Sequence, residues 1–442
     1  MKCTKLRRRP LISADGDGVA SHAGSLLLHE LADRLGLTGA LSRACAPVFR
    51  DVRVHDPGEV LRDLVVMLAD GGDCLAHLCT LRDQPDLFGT VASDATAWRV
   101  IDRLEQVGLP ALSAARAEAR RRAWAAGLQP ARITLDLDST LVTAHSEKEG
   151  AAATYKRGFG FHPLLCTLDE TKEVLAGILR PGNATANHAG DNIAVLDAGL
   201  AQLPTREAAE PILVRADSAG ATHEFVNAVR KRELRFSIGF DLTAPVRQAV
   251  LALSEKAWTP AIAQDGGERD GADVAELRTL DLSAWPDGTR AICRREIPHP
   301  GAQLTFSDLN GRRFQVFITD QPDADIAYLE ARHRGHARVE DRIRCGKDTG
   351  LRNLPFHDFA ANAVWLQLVL MAIDLLAWTQ GLTLAGEAQR WEPKRLRYAL
   401  LHVAARVCRS GRRLHLRLQH GWRWSVLLCV AFQRLRRLPI AL

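Results

Sequence analysis

Residues 131–140 read ARITLDLDST, and the alternation inside this stretch decides how the rest of the chain is read. Ile133, Leu135 and Leu137 alternate with Thr134, Asp136 and Asp138, the period of two of a half-buried strand. Both aspartates then share its polar face. Downstream, 160–168 and 172–179 read as two further strands joined by a turn at Asp169-Glu170. A helix is expected over 191–203, a strand over 211–216 ending at Asp217, a helix over 222–232 and a strand over 235–240. Three opening strands suit an antiparallel meander, and the later strand–helix units suit parallel pairing. This order predicts an α/β fold with the mixed sheet of ribonuclease H.

Working outward, the 128 residues before this core read as helices. Ser93-Asp94 supplies a cap for a helix through Trp98, Ile101 and Leu104, and Gly36 and Gly71-Gly72 end two earlier ones. Such helices suit a DNA-binding or a dimerisation domain equally well. After 240, glycines at 266, 267 and 271 and a hairpin pattern around Asn310-Gly311, flanked by 304–306 and 314–318, predict a β-rich insertion. Helix returns over 326–345. The apolar run 359–378 is expected to be a buried helix rather than a membrane span, because it carries Asn362, Gln367 and Asp374. The division expected is an N-terminal helical domain (1–128), the first part of a ribonuclease-H-like domain (129–240), the insertion (241–325), helices returning to that domain (326–385) and a basic C-terminal extension (386–442).

Composition excludes several classes. The chain has 442 residues, 47% hydrophobic and 25% charged, which is ordinary for a folded protein and unlike a disordered or collagenous one. Its nine cysteines form no CxxC pair, so neither a disulfide framework nor a zinc ribbon is expected. The basic start, Met1–Arg9, is not followed by an apolar run, and a signal peptide is not expected. The formal net charge is +6, yet 387–442 alone holds thirteen Arg or Lys against two acids. The remainder is therefore close to −5. A basic tail on a mildly acidic body points to a polyanionic partner, although docking of the tail on that body is also compatible.

Carboxylates brought together repel one another unless a cation bridges them. Asp138 and Asp217, on strands that the sheet order makes neighbours, and Glu340, on the helix after the insertion, form such a set. Asp136 is the rival for the first position. Hard oxygen ligands suit Mg²⁺ or Mn²⁺, and two ions roughly 3.5–4 Å apart serve in-line displacement at phosphorus. His333, His336, Glu340 and Lys347, spaced by three, four and seven, are expected along one helical face. Trp258 and Trp285 are candidates for base stacking or, more simply, for core packing. Gly182 is expected to supply a turn conformation in Arg180-Pro-Gly-Asn183.

The stretches LDLDST (135–140), YKRGFGFHPLL (155–165), LRPGNA (179–184), VRADSAG (214–220) and ARVEDRIRCGK (337–347), with LADGGDCL (68–75) and LRDQPDLFG (81–89), resemble bacterial insertion-sequence transposases of the family described as transposase DDE domain group 1. The resemblance covers roughly residues 10–385. It implies that Asp138, Asp217 and Glu340 are catalytic and hold two Mg²⁺ or Mn²⁺ ions. Related enzymes carry Tyr, Arg, Glu and Lys on a signature helix, and here His333 and His336 stand in the Tyr and Arg positions. The implied DNA contacts are Lys347, His336, His333, Lys156 and Arg157. The implied partners are the element's terminal repeats and target DNA, bound by a homodimer in the cytoplasm at the nucleoid, with no membrane. A ribonuclease-H-like nuclease without strand transfer and a catalytically decayed DNA-binding protein are the alternatives.

Overall fold

The computed structural model describes residues 11–50, 54–205, 210–298, 301, 308–309 and 311–440. The basic start, residues 304–306 of the expected hairpin and Asn310 lie outside them. The central sheet begins with β1 (Thr134–Ser139), β2 (Leu164–Leu168) and β3 (Val174–Ile178), paired antiparallel in that order. On the other side of β1 lie β4 (Leu213–Ala216) and β5 (Arg235–Phe240), both parallel to it. The order β3-β2-β1-β4-β5 is the mixed ribonuclease-H sheet, entered through the helices Ala189–Leu200 and His223–Lys231.

Helices cover both faces of the sheet, which explains why its strands are so apolar. Leu164, Cys166 and Leu168 pack with Val195 and Leu196 on one face. Leu165, one residue out of phase, packs with the helix Phe359–Thr383 on the other. Asp136 and Asp138 point to this second side, opposite Leu135 and Leu137, as strand alternation requires.

Residues 241–325 do not form a layer of their own. Their strands β6 (Thr259–Ile262), β7 (Glu268–Glu276), β8 (Arg290–Glu296) and β9 (Arg312–Thr319) lengthen the central sheet, with β9 pairing antiparallel to β5. Trp258 lies against Phe314 and under the Arg295 guanidinium, and Trp285 stacks on His223, so both are packing residues here.

The N-terminal helices wrap Phe359–Thr383. Among them Pro57–Asp70 is capped by Asp56, which accepts from the Glu59 N–H, and ends at Gly71 with φ 112°. Ser93 caps Asp94–Val107 by accepting from the Thr96 N–H. The three polar residues that argued against a membrane span are each partnered inside the protein. Asn362 bonds the Phe356 backbone in both directions, Gln367 donates to the Gly177 carbonyl, and Asp374 meets Arg116 (2.7 Å) and Arg120. Arg120 also bonds Glu173 (2.8 Å), which accepts from the indoles of Trp124 and Trp378. This buried ionic cluster fastens the N-terminal helices to β3.

Two local readings change. Gly182 does not need a positive φ; a Cβ there would meet the carbonyl oxygens of Ala152 and Gly160 at 2.4 Å, so close backbone approach excludes a side chain. The tail is folded onto the N-terminal layer. Its hairpin β10 (Ala405–Ser410) and β11 (Arg413–Leu418) pairs with Val19–Ala20, and its last helix, Ser425–Arg437, buries Leu428, Ala431 and Leu435. Burial of this kind contributes roughly 1.5–3 kcal/mol for each leucine.

Candidate active site

The parallel register of β1 and β4 pairs Asp136 with Arg215 and Leu137 with Ala216. The next step carries Asp138 and Asp217 to the same C-terminal edge, on neighbouring strands. Asp217 turns there, its carboxylate accepting from the Ala219 N–H at 3.1 Å. Gly239 on β5 makes room for it: a Cβ would come within 2.8 Å of the Ser218 nitrogen and 3.1 Å of the Asp217 carbonyl carbon.

Glu340 arrives from across this edge, in the first turn of the helix Arg338–Gly346. Asp217, Glu340, His333 and His336 line one cleft of about 540 Å³, together with Arg294 and Arg334. Asp138 is coupled to the same acids. Burial, with the Asp217 and Glu340 carboxylates nearby, pushes its carboxyl up to about 6, against the opposing pull of His336 and the Ser139 N–H. Two like charges that raise a third acid mark a site suited to a cation.

Asp136 has a different environment. It is buried, and Arg215 grips it through Nε (2.8 Å) and Nη2 (2.7 Å) while the His336 Nδ1 lies 2.7 Å away. Arg215 also bonds Asp169 (2.8 Å) and the Arg332 carbonyl (2.6 Å), and Asp169 pairs with Arg338. This network ties β1 and β4 to the helices that carry Glu340. An arginine within an apolar strand, VRAD, was its only trace in the sequence.

The expected single helical face is broken. Helix Ile326–Arg334 ends before a 3-10 turn, Gly335–Ala337, and a second helix runs to Gly346, with Lys347 opening a wider turn. His333 and His336 both reach the cleft, but each ring already has a protein partner. His333 lies flat on Phe317 (ring centroids 4.3 Å apart) with its Nδ1 2.9 Å from Ser237. Burial, reinforced by His336 and Arg215, pushes its pKa down to about 3, so the ring is neutral. Arg334 is bonded to Glu330 and Arg338 to Asp169.

Lys347 does not line the cleft. It is half-buried, and burial together with Lys156 holds its pKa below the usual lysine range. Lys156 belongs to a tight hairpin turn, Tyr155-Lys156-Arg157, in which all three side chains are exposed and Arg157 has φ 61°. The structure thus brings Lys156 and Lys347 into electrostatic contact from distant parts of the chain.

Two further groups place ligand-type atoms within 4.8 Å of one another: His22, Asp70 and His402, and Asp73, Cys74 and His77. The three acids do not close to that distance. In the first group Asp70 accepts from Ser25 (2.5 Å) and lies between His22 (2.5 Å) and His402 (3.1 Å), a satisfied cluster joining the N-terminal segment to the C-terminal one.

A search among curated proteins finds no match. Among solved structures, the chain is similar to the piggyBac transposase synaptic complex with hairpin DNA, at 9% identity and a TM-score of 0.43, over 86% of this chain and 80% of that one. The family described as Transposase DDE domain group 1 matches residues 4–440. With that match spanning nearly the whole length, this chain belongs to the transposase DDE domain group 1 family and is a DNA transposase.

Proposed function

We propose that this enzyme, encoded by an insertion sequence, cuts DNA at its element's ends and joins the released 3′-hydroxyl to target DNA, using Asp138, Asp217 and Glu340. The observation that carries the assignment is the parallel register of β1 and β4, which takes Asp138 and Asp217 to one sheet edge, with Glu340 sharing the Asp217 cleft from the helix opposite. Asp136 is set aside because Arg215 and His336 occupy its carboxylate.

The donor set fits two Mg²⁺ or Mn²⁺ ions: hard carboxylate oxygens, crowded enough that Asp138 holds its proton up to about pH 6. Bound divalent ions supply charge neutralisation at the phosphate and a more acidic attacking water. The residues provide alignment. In the first step an O–P bond forms from water and the P–O3′ bond breaks, leaving a 3′-hydroxyl on the element. In the second, that hydroxyl attacks a target phosphodiester, forming a new P–O3′ bond and releasing a target 3′-hydroxyl. Lys347, Lys156 and Arg157 hold phosphates of the DNA outside the cleft, and a homodimer brings the two ends together at the nucleoid. Cleavage of end-bearing duplex DNA with Mg²⁺ tests the reading. Asp138→Asn, Asp217→Asn and Glu340→Gln should each abolish cutting with DNA binding retained; wild-type cutting by any of them would remove that residue from the site.

A further inference from the structure

Strand alternation sorts the C-terminal hairpin into two chemically distinct faces. The cross-strand pairs Ala405–Leu418 and Val407–Leu416 place apolar side chains toward the helical core. The intervening pairs, Arg406–Arg417, Cys408–His415 and Ser410–Arg413, form the outer face. That face holds three arginines and a histidine and no acid. Like charges placed directly opposite destabilise an antiparallel strand pair. Among the described residues, Arg406, Arg412, Arg413 and Arg417 make no ion pair, whereas Arg409, on the other face, pairs with Asp86 at 2.7 Å.

The turn adds a second observation. Gly411 and Arg412 both have positive φ (55° and 63°), as the two-residue loop that matches strand twist requires. Asn or Gly is favoured at the second position, and an arginine there is strained. The fold therefore carries an unneutralised cation at the ribbon tip at some cost to itself. Past the short strand Val19–Ala20, which pairs only at Ala405 and Arg406, the hairpin runs on as two strands, and a two-stranded ribbon fits the DNA major groove.

We propose that the ribbon Ala405–Leu418 is a second duplex-DNA-binding surface, distinct from the acid cleft, which lays Arg406, Arg413 and Arg417 against phosphates with Arg412 at its leading end. This rests on duplex DNA being the substrate of the proposed reaction. The test uses the full-length protein and a random-sequence duplex of 30 base pairs, titrated by fluorescence anisotropy across salt concentrations. Replacing Arg406, Arg413 and Arg417 together by alanine should weaken binding at least tenfold and reduce the log-affinity against log-salt slope by about 2–3, at about 0.9 per phosphate contact. The triple lysine variant should keep most of the slope. An unchanged slope in the alanine variant overturns the proposal, whether or not its melting temperature falls. Equal losses in the alanine and lysine variants, or binding to anionic vesicles in place of DNA, overturn it as well. Asp138→Asn run alongside separates the two readings: it should keep the full slope while losing cleavage, and cleavage by that variant would remove the acid assignment while leaving the ribbon result intact.

Discussion

Arg215 and Asp136 form a buried, two-pronged salt bridge at 2.8 and 2.7 Å, two residues behind the edge where Asp138 and Asp217 meet. The pair gives Asp136 a partner of its own, where the sequence prefers Asp138 through family resemblance alone. One carboxylate is neutralised and structural; the other is left to its acidic neighbours.

The first expected consequence is a split between neighbouring substitutions. Asp136→Ala breaks the two-pronged buried pair and leaves Arg215 with Asp169 as its remaining acid, which should cost about 3 kcal/mol of stability. Cleavage per folded molecule should fall only modestly. Asp138→Asn should do the reverse, with no loss of stability and no cleavage. Denaturant unfolding and single-turnover cleavage on both variants decide this; destabilisation by Asp138→Asn together with inactivity of folded Asp136→Ala would reverse the assignment.

The second concerns pH. The Asp138 carboxyl titrates near 6 in the fold and near 4 unfolded, so the folded state binds the proton more tightly. Its contribution is favourable below about pH 4 and is lost as pH rises through about 6. Metal-free Asp138→Asn should therefore be more stable than wild type at pH 8, by on the order of 1–2 kcal/mol, and equal to it at pH 4. Mn²⁺ should raise the wild-type melting temperature more at pH 8 than at pH 5. A metal response independent of pH would contradict the coupling.

Gly239 provides a third test, because it touches the backbone of Asp217 rather than its carboxylate. Gly239→Val forces the loop away, with an overpacking cost of about 1–3 kcal/mol. Cleavage should drop at least tenfold while affinity for duplex DNA is retained. Full activity in a folded Gly239→Val protein would show that the position of Asp217 is not set by this contact.

The fourth prediction addresses the lysine pair. Lys347→Ala and Lys156→Ala should each lower the salt slope of binding by about 0.9, and the double variant by about twice that. Anisotropy titrations between low and physiological salt measure it. Slopes matching the wild type would mean that these cations face solvent only.

The sequence by itself determined the order of strands and helices, the polar face of β1 and the identity of the acids available to it. These follow from local periodicity: the alternation in ARITLDLDST, the Ser93 cap and the glycine stops each act within a few residues. Tertiary structure alone decided the rest. Whether 241–325 stands apart or extends the sheet depends on pairing between β9 and β5, more than seventy residues apart, which no local pattern encodes. The surroundings of Asp136 and Asp138 differ through what arrives from elsewhere, Arg215 and His336 at one, Asp217 and Glu340 at the other. His333 and His336, expected as DNA contacts along one helical face, line the cleft with their rings already bound to Ser237 and Asp136. A side chain's charge and reach are written in its own residue, but its ionisation and its freedom to bind are fixed by the groups that packing places around it.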